Sequence, residues 1–177
     1  MFDPGRDIDW DGTRDWTALE GESERAHAGR MKMVNAGMEF LRRQAHCVRV
    51  VGGRWGNVEQ RVPRVAVLLC EVESSNEREL GRWVWVVAGD VAPMVVDARR
   101  CRNVWQALAE YCDRCERWSR GVREGVMPGG AAPTMEERTR AEIYEIWARW
   151  IERVYVEPNR WRLSEPTGVD WEGVGYA

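Results

Sequence analysis

The run Trp83-Val-Trp-Val-Val-Ala-Gly-Asp90-Val-Ala-Pro93 limits the possible folds more than any other stretch of the chain. Its tryptophans and valines follow one another without a helical period, and Gly-Asp with a proline close behind stops them abruptly. Strand alternation puts Trp83, Trp85 and Val87 on one face and Val84, Val86 and Ala88 on the other. Both faces are apolar. The strand is therefore either covered on both sides or leaves an aromatic face for a partner.

The surrounding segments follow from the same kind of pattern. Val65–Val72 is almost continuously apolar and predicts a central strand, and the polar stretch from Glu73 to Arg82 turns the chain into Trp83–Ala88. So short a connection makes the two strands an antiparallel hairpin. His46–Val51 predicts a first strand closed by Gly52-Gly53, and Met94–Asp97 a short last one. A helix is expected over Glu22–Gln44, where Met31, Val34, Met38, Leu41 and Ala45 recur at spacings of three and four. Gly29 and Gly37 weaken it by about 1 kcal/mol each, so packing must hold it. Val104–Arg120 predicts a second helix capped by Asn103, with Val104, Leu108, Tyr111, Cys115, Trp118 and Val122 on one stripe. Thr134-Met-Glu-Glu137 is a capping box that opens a third helix, Thr134–Val156, with Ile143, Trp147, Trp150 and Val154 as its inward stripe and Pro158 beyond its end. These elements predict an α+β domain over residues 22–157, a small antiparallel sheet of three or four strands packed with three main helices. An acidic arm (1–21) precedes it and an irregular, aromatic tail (158–177) follows.

Length and composition describe an ordinary globular chain: 177 residues, 44% hydrophobic and 31% charged. A net charge of −3 supplies no global basic field for nucleic acid or anionic lipid. No basic start with an apolar core suggests export, and no run approaches the roughly 18 apolar residues of a membrane span. The expected setting is cytoplasmic. Five cysteines, three inside apolar patterns, read as reduced core thiols. Lys32 is the only lysine, and there are eleven tryptophans against two phenylalanines. Arginine and tryptophan are the residues that anchor protein interfaces.

Motifs that carry chemistry are scarce. Cys112 and Cys115 form a C-x-x-C, but inside a predicted helix and without a second pair, so structural thiols fit better than zinc or redox chemistry. Glu71, Glu73, Asp90 and Asp97 lie near strand ends, where paired carboxylates could hold a metal or share acid–base work. No lysine accompanies them, and Asp90 after glycine suits a turn. His27 and His46 have no adjacent nucleophile pattern, and no phosphate-binding glycine loop occurs. The arginines of the second helix alternate with Glu110, Asp113, Glu116 and Glu124 at spacings that favour intrahelical pairing rather than a nucleic-acid groove.

Trp85-Val-Val-Ala-Gly-Asp-Val-Ala-Pro93, followed by an Asn-capped helix with Ala107-Leu-Ala-Glu-Tyr111, resembles a segment of small uncharacterised bacterial proteins. The likeness covers about residues 80–120 and implies a bacterial or phage α+β domain, with no activity or catalytic residue to carry over. The residues themselves favour a non-enzymatic protein-binding protein, such as a toxin-immunity or accessory protein, with another protein as partner, homo-oligomer formation open, and no cofactor or metal. The alternatives are a hydrolase or nuclease-like enzyme built on the strand-end carboxylates, and a single-stranded nucleic-acid binder. The candidate binding residues are Trp10 and Trp16 in the arm, Trp83, Trp85 and Asp90 at the strand and its turn, and Trp161 and Trp171 in the tail. For both ends, folding back to plug the edge of the core is the competing reading.

Overall fold

A computed structural model describes residues 22–59, 64–126 and 131–164 together with Ile8 and Thr13, residues 57–59 in their backbone only. The chain runs α1 (Glu24–Arg42), β1 (Cys47–Glu59), β2 (Val65–Ser74), β3 (Trp83–Gly89), β4 (Met94–Asp97), α2 (Val104–Glu124) and α3 (Met135–Ile151). A π-helical turn (Glu152–Val156) and a 3-10 segment (Glu157–Leu163) follow α3 directly. The four strands form an antiparallel meander in the order β1-β2-β3-β4. The protein is an α+β domain with three main helices and a four-stranded antiparallel sheet.

The two apolar faces of β3 are both covered. Val84, Val86 and Ala88 meet Ala66, Leu68, Cys70 and Val72 of β2 beneath Met33, Val34, Met38 and Leu41 of α1. Trp85 and Val87 join Val65, Val67, Leu69 and Val96 under Val104, Leu108, Tyr111 and Cys115 of α2. The sheet is thus the middle of three layers. α3 packs mainly on α2, as an outer helix, through Ala141, Ala148 and Ile151.

The helix starts behave as their caps dictate. Ser23, Asn103 and Thr134 accept from the backbone amides of Ala26, Gln106 and Glu137, and Glu137 closes the capping box by accepting from the Thr134 amide at 2.7 Å. Helix ends differ from expectation. α2 continues to Glu124 and stops at Gly125, whose φ of 72° is left-handed. The third helix leaves α geometry at Ile151, and its continuation to Leu163 replaces the irregular start of the expected tail.

β1 is longer than its sequence suggests. Gly52-Gly53 does not close it; both glycines pair within the ladder, opposite Glu71 and Cys70. The strand absorbs them through bulges, with register shifts between Cys47 and Arg49, Val50 and Gly52, and Trp55 and Val58. Val48 and Val51 are the unpaired extra residues at the first two, and both turn to solvent.

α1 gives a direct test of how its glycines work. A Cβ on Gly37 would fall 2.7 Å from Leu68 Cδ1 and 3.3 Å from Ala88 Cβ, so this glycine lets α1 settle onto β2 and β3. A Cβ on Gly29 would meet nothing within 4 Å. Gly29→Ala is therefore expected to stabilise the fold by about 0.5–1 kcal/mol through helix propensity. Gly37→Ala should destabilise it by about 1–3 kcal/mol through overpacking. Urea midpoints at constant m-value check both, and equal effects would remove the close-approach argument.

Candidate functional site

The inward stripe expected for α3 is not the one that faces the core. Ile143 and Val154 are 45% and 40% exposed, and Trp147 and Trp150 are half-buried. The side that packs carries the small residues Ala141 and Ala148, with Ile151 at its end. Ala141 and Ala148 let α2 come so close that Ser119 Oγ donates to the Ala141 carbonyl at 2.9 Å and Cys112 Sγ to the Ala148 carbonyl at 3.4 Å. Ile143, Ile146 and Val154 are left to point away.

Together they make the most extended apolar surface on a single helix here. Met135 is 77% and Ile146 62% exposed, and with Ile143, Trp150 and Val154 they recur at helical spacings along the whole of α3. The π-helical turn keeps Val154 in line one turn below Trp150, because its wider winding rotates each residue less than an α-helix does. Arg138, Arg140, Arg149 and Arg153 border the stripe and are exposed. Trp147 and Trp150 pack their inner edges on the core, Trp150 meeting Tyr155 edge-on at 5.5 Å.

The residues singled out from sequence are scattered. Trp85 is fully buried, and its Nε1 donates to the Cys101 carbonyl at 2.5 Å. It offers no surface to a partner: covering on both sides is the arrangement found. Trp83 is half-buried against the α2 cluster. Asp90 closes the β2–β3 pair: Arg64 donates to it from its backbone amide at 3.0 Å and through a forked guanidinium at 3.0 and 2.8 Å. That guanidinium holds the Asp90 carboxyl below its usual range. Trp161 remains 60% exposed, with the Arg162 guanidinium 4.7 Å from its ring centroid. Trp10, Trp16 and Trp171 lie outside the described residues. The arm's two described residues, Ile8 and Thr13, are both buried, Ile8 in the α2 cluster and Thr13 accepting from Arg54 Nε at 2.9 Å. At these two points the arm folds back on the core.

The strand-end carboxylates are separately partnered. Each is bound by its own arginine: Glu71 by Arg82 at 2.6 Å, Glu73 by Arg49 at 3.0 Å, Asp90 by Arg64 at 2.8 Å and Asp97 by Arg99 at 2.5 Å. Two of the α2 arginines pair as their spacing predicts, Arg114 with Glu110 at 2.6 Å and Arg117 with Asp113 at 2.7 Å, while Arg123 reaches across to Glu145 of α3 at 2.9 Å. None of the five cysteines is in a disulfide. Burial pushes the Cys70 and Cys101 thiols up to about 12 and raises Cys112 and Cys115 as well, so these thiols stay protonated and poorly nucleophilic at neutral pH. A hollow of about 220 Å³ beside Cys112, lined also by Asp113, Glu116, Glu152 and Arg160, is too small for most organic ligands.

One polar cluster was missed entirely. Arg30 on α1 is fully buried. Its Nε and Nη2 donate to the two Glu22 carboxylate oxygens at 2.9 and 2.6 Å, and its guanidinium lies 3.8 Å from the centroid of Trp55. Nη2 is also 2.8 Å from His27 Nδ1. The same Nδ1 lies 3.2 Å from Glu22 Oε2, so the ring sits between the guanidinium and the carboxylate. The cluster ties the first turns of α1 to β1. Its signal was present: Arg30 stands three and four residues before Met33 and Val34, on the stripe that faces the sheet.

Among the described residues no helix is long and apolar enough to cross a membrane. In comparisons with protein-family models, curated proteins and solved structures, nothing matched this chain.

Proposed function

We propose that this is a non-enzymatic protein-binding protein whose docking surface is the outward face of α3. The observation that carries the reading is the stripe of Met135, Ile143, Ile146 and Val154, exposed along α3 and the turn that follows it, with half-buried Trp150 among them, while the other side is packed on the core. Contiguous apolar surface with a polar border is characteristic of interaction sites, and tryptophan with arginine is the pairing that dominates their energetics. Commitment of each strand-end carboxylate to an arginine supports this reading over hydrolysis. Pairing of Arg114, Arg117 and Arg123 with acidic side chains supports it over nucleic-acid binding. A protein that acts by occupying another, as immunity and accessory proteins do, requires no more chemistry than this.

Ile146 is the position to test, because it is exposed at the middle of the stripe. Ile146→Arg should leave stability within about 0.5 kcal/mol of the parent, while removing the proteins that tagged parent retains from its native host. Quantitative mass spectrometry of the two captures decides the matter. An unchanged set of retained proteins would overturn the α3 face as the docking surface.

A further inference from the structure

We infer that the occupant of the α3 face is a second copy of this chain, whose α3 lies antiparallel to the first about a two-fold axis. This rests on the reading of that face as a docking surface and names what docks there.

The argument is one of matching along the helix. With the axis passing between Ile143 and Ile146, Ile143 of each copy packs against Ile146 of the other, as apolar knobs do across antiparallel helices. One turn out on either side, Trp150 of one copy falls over Thr139 of the other. Thr139 is small, and its hydroxyl is turned back to donate to the Met135 carbonyl at 3.1 Å, so its methyl is left for the seam. At the ends, Met135 reaches Val154. A large side chain thus meets a small one wherever two large ones would collide.

Charge selects the same arrangement. Glu142 is exposed beside the stripe and has no ion-pair partner among the described residues, while Arg149 pairs only within its own helix, with Glu145. Antiparallel pairing in this register places Glu142 of each copy beside Arg149 of the other, twice by symmetry. On the opposite side of the seam it brings Arg140 toward the half-exposed ring of Trp147. A parallel pair would stack Trp150 on Trp150 and leave Glu142 facing Trp147, with no arginine. Antiparallel helix dipoles favour the first arrangement too, and two-fold pairing is the commonest form of self-association.

Sedimentation equilibrium over a concentration series tests the proposal on the full chain. The parent should pass from the 20.5 kDa monomer to twice that mass, and Ile146→Arg should remain monomeric throughout. Glu142→Arg and Arg149→Glu should each weaken the dimer by roughly tenfold, two symmetric ion pairs being lost at once. Combining them should restore it to within a few-fold of the parent, which a merely destabilised fold would not do. Circular dichroism confirms that each variant is folded. A parent that stays monomeric at the highest soluble concentration overturns the self-pairing, and so does a dimer indifferent to Ile146→Arg. If the parent is monomeric and Ile146→Arg still loses a captured host protein, the docking surface stands and its occupant is a different protein. If neither mass nor capture responds to Ile146→Arg, both readings fall.

Discussion

Arg30→Met will lower the stability of the fold by about 3–5 kcal/mol, the effect of leaving one buried charge without its counter-ion. Arg30 is completely shielded from solvent and the Glu22 side chain almost so, at 0% and 6% exposure. Methionine can follow the path of the arginine stem over Trp55, so packing changes little while Glu22 loses two charge-assisted hydrogen bonds. The control is the double variant with Glu22→Gln. Replacing the carboxylate by an amide should return much of the loss, because an amide is far less costly to bury than an ion. Urea unfolding of parent, single and double variants measures all three. If the single change proves nearly neutral, Glu22 escapes to water and the cluster does not fasten α1 to β1.

Trp85→Ala should be comparably severe, about 3–5 kcal/mol from the void alone. The Cys101 carbonyl, which now accepts from the indole at 2.5 Å, would also lose that partner. Trp85→Phe separates the contributions, since it removes the donor while keeping much of the volume. Trp161→Ala, and Ile146→Arg measured at concentrations where the parent is monomeric, belong to the range of about ±0.5 kcal/mol expected of surface changes. Thermal and urea denaturation of the four variants would thus sort the aromatic residues into those that hold the fold and those free to meet a partner. A small effect at Trp85 would show that the sheet is not sealed on that side.

Most of the architecture was legible because it depends on short-range patterns. The hairpin of β2 and β3, the Asn103 cap and the Thr134–Glu137 box each follow from residues within a few positions of one another. What was not legible depends on neighbours distant in sequence. Periodicity finds an apolar stripe on α3 but cannot say which side of the helix another element will cover. Here the closer approach available over Ala141 and Ala148 prevails over the larger area of Ile143 and Trp150. Gly52-Gly53 looked like a terminus because glycine weakens an isolated strand, yet pairing with β2 carries β1 through both. Arg30 looked like one more solvated charge, since its reasons for burial, Glu22 and Trp55, lie 8 positions before it and on another element. For the candidate site the result is mixed. Composition suggests an exposed aromatic–arginine surface without placing it, and the large side chains most exposed on α3, Met135 and Ile146, are not aromatic. Of the anchors singled out within the described residues, Trp161 keeps an open ring face while Trp85 belongs to the core.

The irregularity of β1 has a consequence for how copies of this chain can meet. An even, unprotected edge strand offers amides and carbonyls to any other extended segment, and such templating leads to indiscriminate aggregation and fibrils. β1 is 13 residues long and forms one edge of the sheet, yet three register shifts break its outline. A foreign strand could follow it for only a few residues before losing step. Contact between molecules is thereby turned from the backbone, which is the same in every protein, to side chains, which can discriminate between partners.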